Sequence, residues 1–259
     1  LFRNKEYPIL ITELKSTSSS SEFQELIIYG RPSISDAREH AKWGATSNAT
    51  YTFLINQNLL SDTLNTKADL LNLDKDTPER KEYINRLKIS EGERYFWRDN
   101  NNEPHKYKFN ISPIHYLESS QLFIKANEIM IDKLTILKNN LISYLKKDNS
   151  IVTITKYNSN DLIYYIKVAN NNDTLGNVIQ SHMVIHALKD DDILNICSYK
   201  KSHPLEEYIT FTISLNPQNN IISKNEEQRL TSIVKYFNEC ITEILLIYNE
   251  IIKVSQLSL

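Results

Sequence analysis

Two histidines in the second half of the chain are spaced as metal ligands on a helix would be. His182 and His186 stand four residues apart, so both would face the same side of a helix. No acidic residue or third histidine stands at a matching position, and a zinc site needs three or four ligands. We therefore interpret both as packing or surface residues, and we predict that the chain binds no metal and no other cofactor.

Other groups of polar residues invite a catalytic interpretation. Asp36, Glu39 and His40 could form an acid–base cluster, but no nucleophile accompanies them. The acidic run at 190–192 has the composition of a metal site, although a solvated turn between a helix and a strand is the commoner use of such a run. The lysine pair at 200–201 could contact nucleic acid or an acidic partner, or could simply end a strand. We predict no catalytic residue.

The composition is that of an ordinary globular protein with little attraction for nucleic acid. Hydrophobic residues make up 41% and charged residues 24% of the 259 residues, and the net charge is −2. Cys197 and Cys240 are too few for a disulfide framework or a cysteine-based zinc site. No apolar run reaches the roughly 18 residues of a membrane span. Any role beside nucleic acid should therefore be indirect, through partner proteins.

The elements that would position these residues fall into two halves. The first half holds predicted strands at 9–15, 22–29, 51–55 and 105–111. Residues 56–102 are polar and poorly periodic apart from one short helix, where Thr77 can cap and Pro78 suits the first helical position. A long amphipathic helix follows at 119–146. Its apolar residues recur every three or four positions: Phe123, Ala126, Met130, Leu134, Leu137, Leu141 and Leu145.

The pattern begins again after a polar linker at 147–150. Strands are predicted at 151–156, 162–168, 193–199 and 208–215, with helices at 174–188 and 225–254. The last helix has its own apolar stripe: Leu230, Ile233, Val234, Phe237, Ile241, Ile244, Leu245, Tyr248 and Ile252. Both long helices exceed what their own sheets need as cover. We therefore predict an α+β fold in which these two helices pack against each other within one chain.

The segment 36–44 reads Asp-Ala-Arg-Glu-His-Ala-Lys-Trp-Gly. It resembles the Lys-Glu-His-Ala-Lys-Trp loop of the third subunit of eukaryotic RNA polymerase II and of the archaeal D subunit, with arginine where the family usually has lysine. The strand at 51–55 matches the family's return into its dimerisation domain. Trp43 is either a core residue or a partner-facing anchor, and its charged surroundings favour the anchor. The partner-binding residues predicted from this loop are Arg38, Glu39, His40, Lys42 and Trp43.

A second resemblance lies in the other half. Residues 172–177 read Asn-Asp-Thr-Leu-Gly-Asn, and 199–206 read Tyr-Lys-Lys-Ser-His-Pro-Leu-Glu. They resemble the Asp-His-Thr-Leu-Gly-Asn, Gly-Tyr-Lys and Pro-His-Pro-Leu-Glu motifs of the eleventh polymerase subunit and the archaeal L subunit. Asp173 replaces the family histidine, Ser198 replaces the glycine before tyrosine, and Ser202 replaces the first proline. Both motif sets occur in the order expected of a fused pair.

Three motif residues have an architectural interpretation. Asp173 can cap the following helix, which is worth roughly 1 kcal/mol. Gly176 lets the first turn approach a neighbouring backbone where a Cβ would clash. The pair His203-Pro204 forces an extended corner between two strands. The resemblance assigns the contact between the two halves to Leu134, Leu137, Leu141, Leu175, Gly176, Phe237, Ile241 and Ile244.

The resemblance implies two α-subunit-like dimerisation domains fused in one chain. Residues 1–47 would form an insert domain, 48–148 the third-subunit-like domain, and 149–259 the eleventh-subunit-like domain. The implied function is a non-catalytic assembly platform of DNA-directed RNA polymerase that docks the two largest subunits and small assembly subunits. Many relatives hold a zinc or iron–sulfur cluster in the insert domain through cysteines, but this chain has no cysteine before Cys197.

Such fusions are characteristic of large nucleocytoplasmic DNA viruses. The resemblance therefore implies viral transcription in the host cytoplasm or the virion, with the nucleus as a further location. It also implies that the first half should contribute two helices to the shared bundle, whereas only one is visible after Leu1. We accordingly expect an upstream strand and helix, with an Asn-Ser-Leu-Arg-Arg-like run, that cover an apolar groove.

A different class of function is also open. The chain could be an independent soluble α/β enzyme or binding module in which the motif matches are accidental. Purification from the natural source discriminates between the two, because a polymerase subunit would co-elute with two much larger chains and an independent protein would not.

Overall fold

The computed structural model describes residues 10–14, 25–114, 118–148, 151–158, 162–189, 193–218 and 225–257, without the side chains of 186–189 and 257. The chain divides into two compact units, one ending at Ser119 and the other beginning at Ser120. The described residues form five α-helices and two antiparallel sheets. The predicted α+β class is confirmed, and the fusion of two α-subunit-like domains stays a prediction.

The first unit contains a two-stranded antiparallel ribbon. Strand β1 (Thr46–Phe53) pairs with β2 (Tyr107–Pro113). Isolated bridges between Ile55 and Phe96 and between Arg98 and Pro104 continue the pairing beyond the ribbon. The bounds of β1 and β2 differ by a few residues from those of the predicted strands at 51–55 and 105–111. The ribbon joins two segments far apart in sequence, so a long insertion lies between its strands.

That insertion contains a helical hairpin, of which sequence analysis found only one helix. Helix α1 (Gln57–Leu70) precedes α2 (Pro78–Glu91), which begins at the predicted cap, with the Thr77 hydroxyl accepting from the amide of Arg80 at 3.3 Å. The prediction of a single short helix at 56–102 was therefore wrong. Helix α1 buries only one apolar residue per turn, a stripe too sparse to stand out in a polar segment: Leu60, Leu64 and Ala68.

A buried arginine holds the hairpin together. Arg80 as a whole is 6% exposed. Its guanidinium donates to the Asp69 carboxylate at 2.6 Å, to the carbonyl of Leu73 at 2.8 Å and to the side chain of Asn65 at 3.3 Å. One side chain from α2 thus satisfies acceptors on α1 and on the connecting loop, which fixes the angle of the turn.

Replacing this arginine should destabilise the hairpin. The variant Arg80→Met keeps the buried alkyl stem but leaves the Leu73 carbonyl without its donor, at a cost of about 1–3 kcal/mol. Exposed Lys81 on the same helix is the matched control, and Lys81→Met should change stability by less than about 0.5 kcal/mol. Urea unfolding of both variants measures the difference. Equal unfolding free energies would contradict the role assigned to Arg80.

Two predicted strands in the amino-terminal region are absent from the described residues. The segments 10–14 and 25–29, which overlap the predicted strands at 9–15 and 22–29, have no strand hydrogen bonding. Leu26, Ile27, Ile28 and Tyr29 are exposed there. Strand propensity reflects how a side chain fits a paired, half-buried surface, so it cannot create a strand without a neighbour. The prediction of strands at both places was wrong for the described parts.

The second unit is built on a four-stranded antiparallel sheet. Its strands are β3 (Val152–Lys156), β4 (Ile163–Ala169), β5 (Leu194–Lys200) and β6 (Tyr208–Leu215), in the order β3-β4-β6-β5. These bounds agree with the four predicted strands to within two residues. Alternate residues of β6 are buried, which shows that one face of the sheet carries the core: Ile209, Phe211, Ile213 and Leu215. Part of the connection between β3 and β4, at 159–161, lies outside the described residues.

Three helices accompany this sheet. They are α3 (Ser119–Leu145), α4 (Asp173–Lys189) and α5 (Glu226–Leu257), close to the predicted spans. Side chains of α3 and α5 lie in one buried cluster with the sheet, and Lys138 of α3 donates to the Thr242 hydroxyl of α5 at 2.8 Å. Packing therefore places α3 in the second unit, although sequence order places it in the first half. The domain boundaries at 47 and 148 stay predictions.

The buried face of α3 differs in detail from the predicted stripe. Ala126 is exposed and the neighbouring Asn127 is buried, with its amide donating to the carbonyl of Phe123 at 2.7 Å. The predicted stripe was chosen by apolar residues alone, so it included Ala126 and left out the buried polar residue Asn127. Apolar side chains also remain exposed on the outer surfaces of both long helices: Ile129, Ile136, Leu246, Ile247 and Val254. None of the helices in the described ranges is long and apolar enough to cross a membrane.

Candidate functional site

The loop that precedes β1 is ordered by its own short-range hydrogen bonds. One oxygen of the Asp36 carboxylate accepts from the amides of Arg38 at 2.9 Å and Glu39 at 3.4 Å. The Nδ1 atom of His40 accepts from the amide of Lys42 at 3.1 Å and begins a single turn of 3₁₀ helix. The side chains of Asp36 and His40 therefore accept from backbone amides rather than bonding to each other. The arrangement shapes a loop, and it does not form the acid–base cluster considered from the sequence.

The same loop presents charged groups around one aromatic ring. The side chains of Arg38, Glu39, His40 and Lys42 are exposed, and Trp43 is half-buried. The Nζ atom of Lys42 lies 5.0 Å from the centroid of the Trp43 ring, within the range of a cation–π interaction. All five predicted partner-binding residues are thus brought together on one short segment. The partner-binding role of this tryptophan and its exposed charged neighbours stays a prediction.

The two motifs of the second half meet in space. An ideal Cβ placed on Gly176 would lie 2.5 Å from Cδ2 and 3.0 Å from Cγ of Tyr199. The first turn of α4 therefore lies flat against the Tyr199 ring on β5. The prediction that Gly176 allows close approach is correct in kind, but the neighbour is an aromatic side chain and not a backbone. Sequence analysis did not predict this contact, although Gly176 belongs to the first motif of this half and Tyr199 to the second.

Substituting Gly176 is expected to disturb this contact. The Gly176→Ala methyl group would overlap the Tyr199 ring, so the ring or the helix would have to shift, at a cost of about 1–3 kcal/mol. Gly30→Ala is the matched control, since nothing lies within 4 Å of a Cβ built there. Thermal unfolding measures both. A double variant that adds Tyr199→Ala should cost less than the sum of the single changes. Strict additivity would contradict the contact.

Asp173 lies one position later than the prediction required. Helix α4 begins at Asp173, and the amide of Gly176 donates to the carbonyl of Asn172 at 3.1 Å. Asn172 thus stands at the position that precedes the helix, whereas the prediction placed Asp173 there. The exposed Asp173 carboxylate, in the first turn, instead benefits from the positive end of the helix dipole.

The His203-Pro204 segment forms the turn between β5 and β6. The amide of Leu205 donates to Nδ1 of His203 at 3.1 Å, and the amide of Glu206 donates to the His203 carbonyl at 3.1 Å. The histidine thus organises the turn with its side chain and its backbone together. Leu205 at the tip of this turn is exposed.

The residues assigned to contact between the halves are buried in one place. Leu134, Leu137 and Leu141 of α3 share a cluster with residues of α4 and α5. Phe237 packs edge-to-face on Phe211 of the sheet, with ring centroids 5.2 Å apart. Every predicted member of this set is buried in the second unit: Leu134, Leu137, Leu141, Leu175, Gly176, Phe237, Ile241 and Ile244. The predicted packing of α3 on α5 within one chain is therefore present.

The candidate metal and nucleophilic groups have structural partners. The Nε2 atom of His182 lies 2.9 Å from the Glu243 carboxylate, which links α4 to α5. The side chain of His186 and the acidic run at 190–192 lie outside what the structure describes. Over the described residues, no three of His, Cys, Asp and Glu are grouped so that they could hold a metal ion. Burial raises the pKa of Cys197 and of Cys240 to about 12, so both thiols are protonated at neutral pH.

No protein-family model matches this sequence, and no curated protein is significantly similar to it.

Proposed function

We propose that this chain is a non-catalytic assembly subunit of a multisubunit DNA-directed RNA polymerase of a large DNA virus. The carrying observation is the occurrence of two motif sets in one chain, in the order of a third subunit followed by an eleventh subunit. The contact between Gly176 and Tyr199 supports the second set, because two segments related only by resemblance also pack together.

The chemistry of the candidate site supports a binding role. Asp36 and His40 hold the backbone of their loop, His182 is paired with Glu243, and both thiols are protonated. The exposed groups that remain on the 36–44 loop are long charged side chains around Trp43. Such groups suit recognition of another protein's surface.

The proposed mechanism is assembly by a preformed platform. In an α-like dimer two separate chains must first associate, whereas here α3 and α5 belong to one polypeptide and already pack together. Linking the two contact surfaces replaces a concentration-dependent association with an intramolecular one. The chain could then bind the large subunits through its 36–44 loop with no prior association of two separate chains. Nucleic acid would be contacted only through those subunits.

Purification of the tagged chain from its natural source tests this function. The expected result is stable co-elution with two much larger chains in a complex that synthesises RNA from a DNA template. A chain that elutes alone, or with proteins unrelated to transcription, would sink the proposal and favour an independent enzyme or binding module.

A further inference from the structure

We propose that one row of side chains on the outer face of the four-stranded sheet binds the carboxylates of an acidic segment of a partner protein. We call it the lysine row and define it as Thr153, Lys167, Thr210 and Lys200. The identification of that partner as a polymerase subunit rests on the function proposed above. The binding itself rests on the geometry and charge of the sheet.

The strand register places these four residues side by side across all four strands. Lys167 of β4 pairs with Thr153 of β3 on one side and with Thr210 of β6 on the other. Thr210 pairs in turn with Lys200 of β5. Neighbouring strands lie about 4.8 Å apart, so the Cα atoms of the two lysines are separated by about 10 Å. One segment of a partner can therefore reach both ammonium groups.

The lysine row points away from the core of the second unit. Thr210 stands between Ile209 and Phe211, which are fully buried, and successive side chains of a strand point to opposite faces. The other three members of the row are exposed, and Thr210 is half-buried. The face that carries the row is thus the one opposite the buried cluster.

The strands of this sheet carry cations and no carboxylate. Strands β3 to β6 contain Lys156, Lys167 and Lys200, and they contain no Asp or Glu. The whole chain has 32 acidic and 30 basic residues, so its composition does not account for this difference. Lys156 is paired with Glu226 of α5 at 3.2 Å. The outer face is left with the two positive charges of the lysine row.

These two charges are not neutralised within the chain. The Nζ atom of Lys167 lies 3.4 Å from the ring centroid of Tyr208, and a ring without net charge can orient the ammonium group but cannot balance it. Among the described residues, neither Lys167 nor Lys200 forms an ion pair. The carboxylate of Glu206 lies close to the Tyr208 hydroxyl and raises the pKa of that group instead. A carboxylate of a partner would supply the missing counter-charge.

Hydroxyl groups without hydrogen bonds surround the two cations. Thr153 and Thr210 belong to the lysine row, and the neighbouring row across the strands contains Thr155, Thr212 and Ser198. Over the part of the chain that the structure describes, none of these five hydroxyls has a hydrogen-bond partner. A hydroxyl can donate to a carboxylate, and such a charge-assisted bond is stronger than a neutral one. The surface thus offers several donors to one acidic segment.

A protein segment fits this surface better than single-stranded nucleic acid does. Nucleic acid requires open ring faces for its bases and a cation for each of several phosphates. One face of the Tyr208 ring is occupied by the Lys167 ammonium group. The ring of Tyr165 meets that of Tyr157 at 90°, with centroids 5.8 Å apart. Of the alternatives open for the lysine pair at 200–201, the geometry therefore favours an acidic partner.

Paired lysine variants test the binding. Lys167→Gln with Lys200→Gln removes both charges of the row, whereas Lys146→Gln with Lys253→Gln removes two exposed charges elsewhere in the same unit. Each tagged chain is expressed in the natural system and its complex is isolated. The row variant should recover at least about threefold less of the partner chains, and the control variant should recover the wild-type amount. Equal recovery by both variants would overturn the proposal.

Carbodiimide cross-linking of the wild-type complex identifies the occupant, because this reagent joins an amine to a neighbouring carboxylate. Lys167 or Lys200 should be joined to an Asp or Glu of the partner. Both amines should also be acetylated at least about fivefold less in the complex than in the isolated chain. Low reactivity already in the isolated chain would mean that this polypeptide covers the row, and would overturn the proposal. Protection that is lost on nuclease treatment would overturn the choice of a protein partner.

The outcomes separate this proposal from the proposed function. A complex with the two large subunits in which Lys167 and Lys200 stay reactive would retain the function and overturn the binding. Cross-links to an acidic protein unrelated to transcription would retain the binding and overturn the function. A chain that forms no complex at all would overturn both.

Discussion

Leu134→Asp should strongly destabilise the second unit. The side chain is fully buried on α3 among residues of α5 and the sheet. The substitution removes apolar contacts and buries a carboxylate among apolar side chains, so it should cost about 4 kcal/mol or more. Since a domain of this size is stable by only about 5–15 kcal/mol, a large fall in melting temperature is expected. Circular dichroism during heating measures it.

The neighbouring position supplies the control. Thr135 lies on the same helix turn, is exposed and carries only an intrahelical hydrogen bond to the Ile131 carbonyl. Thr135→Asp adds the same charge without burying it, and the melting temperature should stay within a few degrees of wild type. Phe237→Asp, on the facing side of the cluster, should behave like Leu134→Asp. Wild-type stability in either buried variant would contradict the packing of α3 on α5.

Trp43→Ala should weaken assembly and leave chemistry intact. The half-buried ring stands on a loop whose fold depends on Asp36 and His40, so its removal should not unfold the unit. An interface tryptophan typically contributes about 2 kcal/mol or more, which corresponds to about 30-fold weaker association. Quantitative reconstitution with the large subunits measures the change. RNA synthesis per assembled complex should equal that of wild type.

Tyr29→Ala serves as the matched control, because that ring is almost wholly exposed on a neighbouring segment and removing it should not alter association. Two results would count against the proposed role of Trp43. Unchanged association would show that the ring is a surface or packing residue. Loss of RNA synthesis in fully assembled complexes would indicate a direct part in the reaction.

The sequence by itself determined the second unit almost completely. Its strands and helices follow from alternation in β6 and from apolar repeats every three or four residues in α3 and α5, and each signal is contained within its own segment. The cap at Thr77 and Pro78 was equally local. The motifs that suggest a polymerase subunit could also be identified from the sequence alone, because they depend only on the order of residues.

The tertiary structure decided what depends on neighbours. Residues 25–29 have strand propensity but no pairing partner, so they form no strand. The segment of α1 has only a sparse apolar stripe, and it is helical because it packs in a hairpin held by Arg80. The contact of Gly176 with Tyr199 and the burial of Asn127 likewise join groups that no local pattern relates. Aromatic residues alternate along both ribbon strands, but only the strand register brings Tyr51 opposite Phe109 and Phe53 opposite Tyr107. Pairing across more than fifty residues is set by the fold as a whole, and a sequence pattern specifies only one strand at a time.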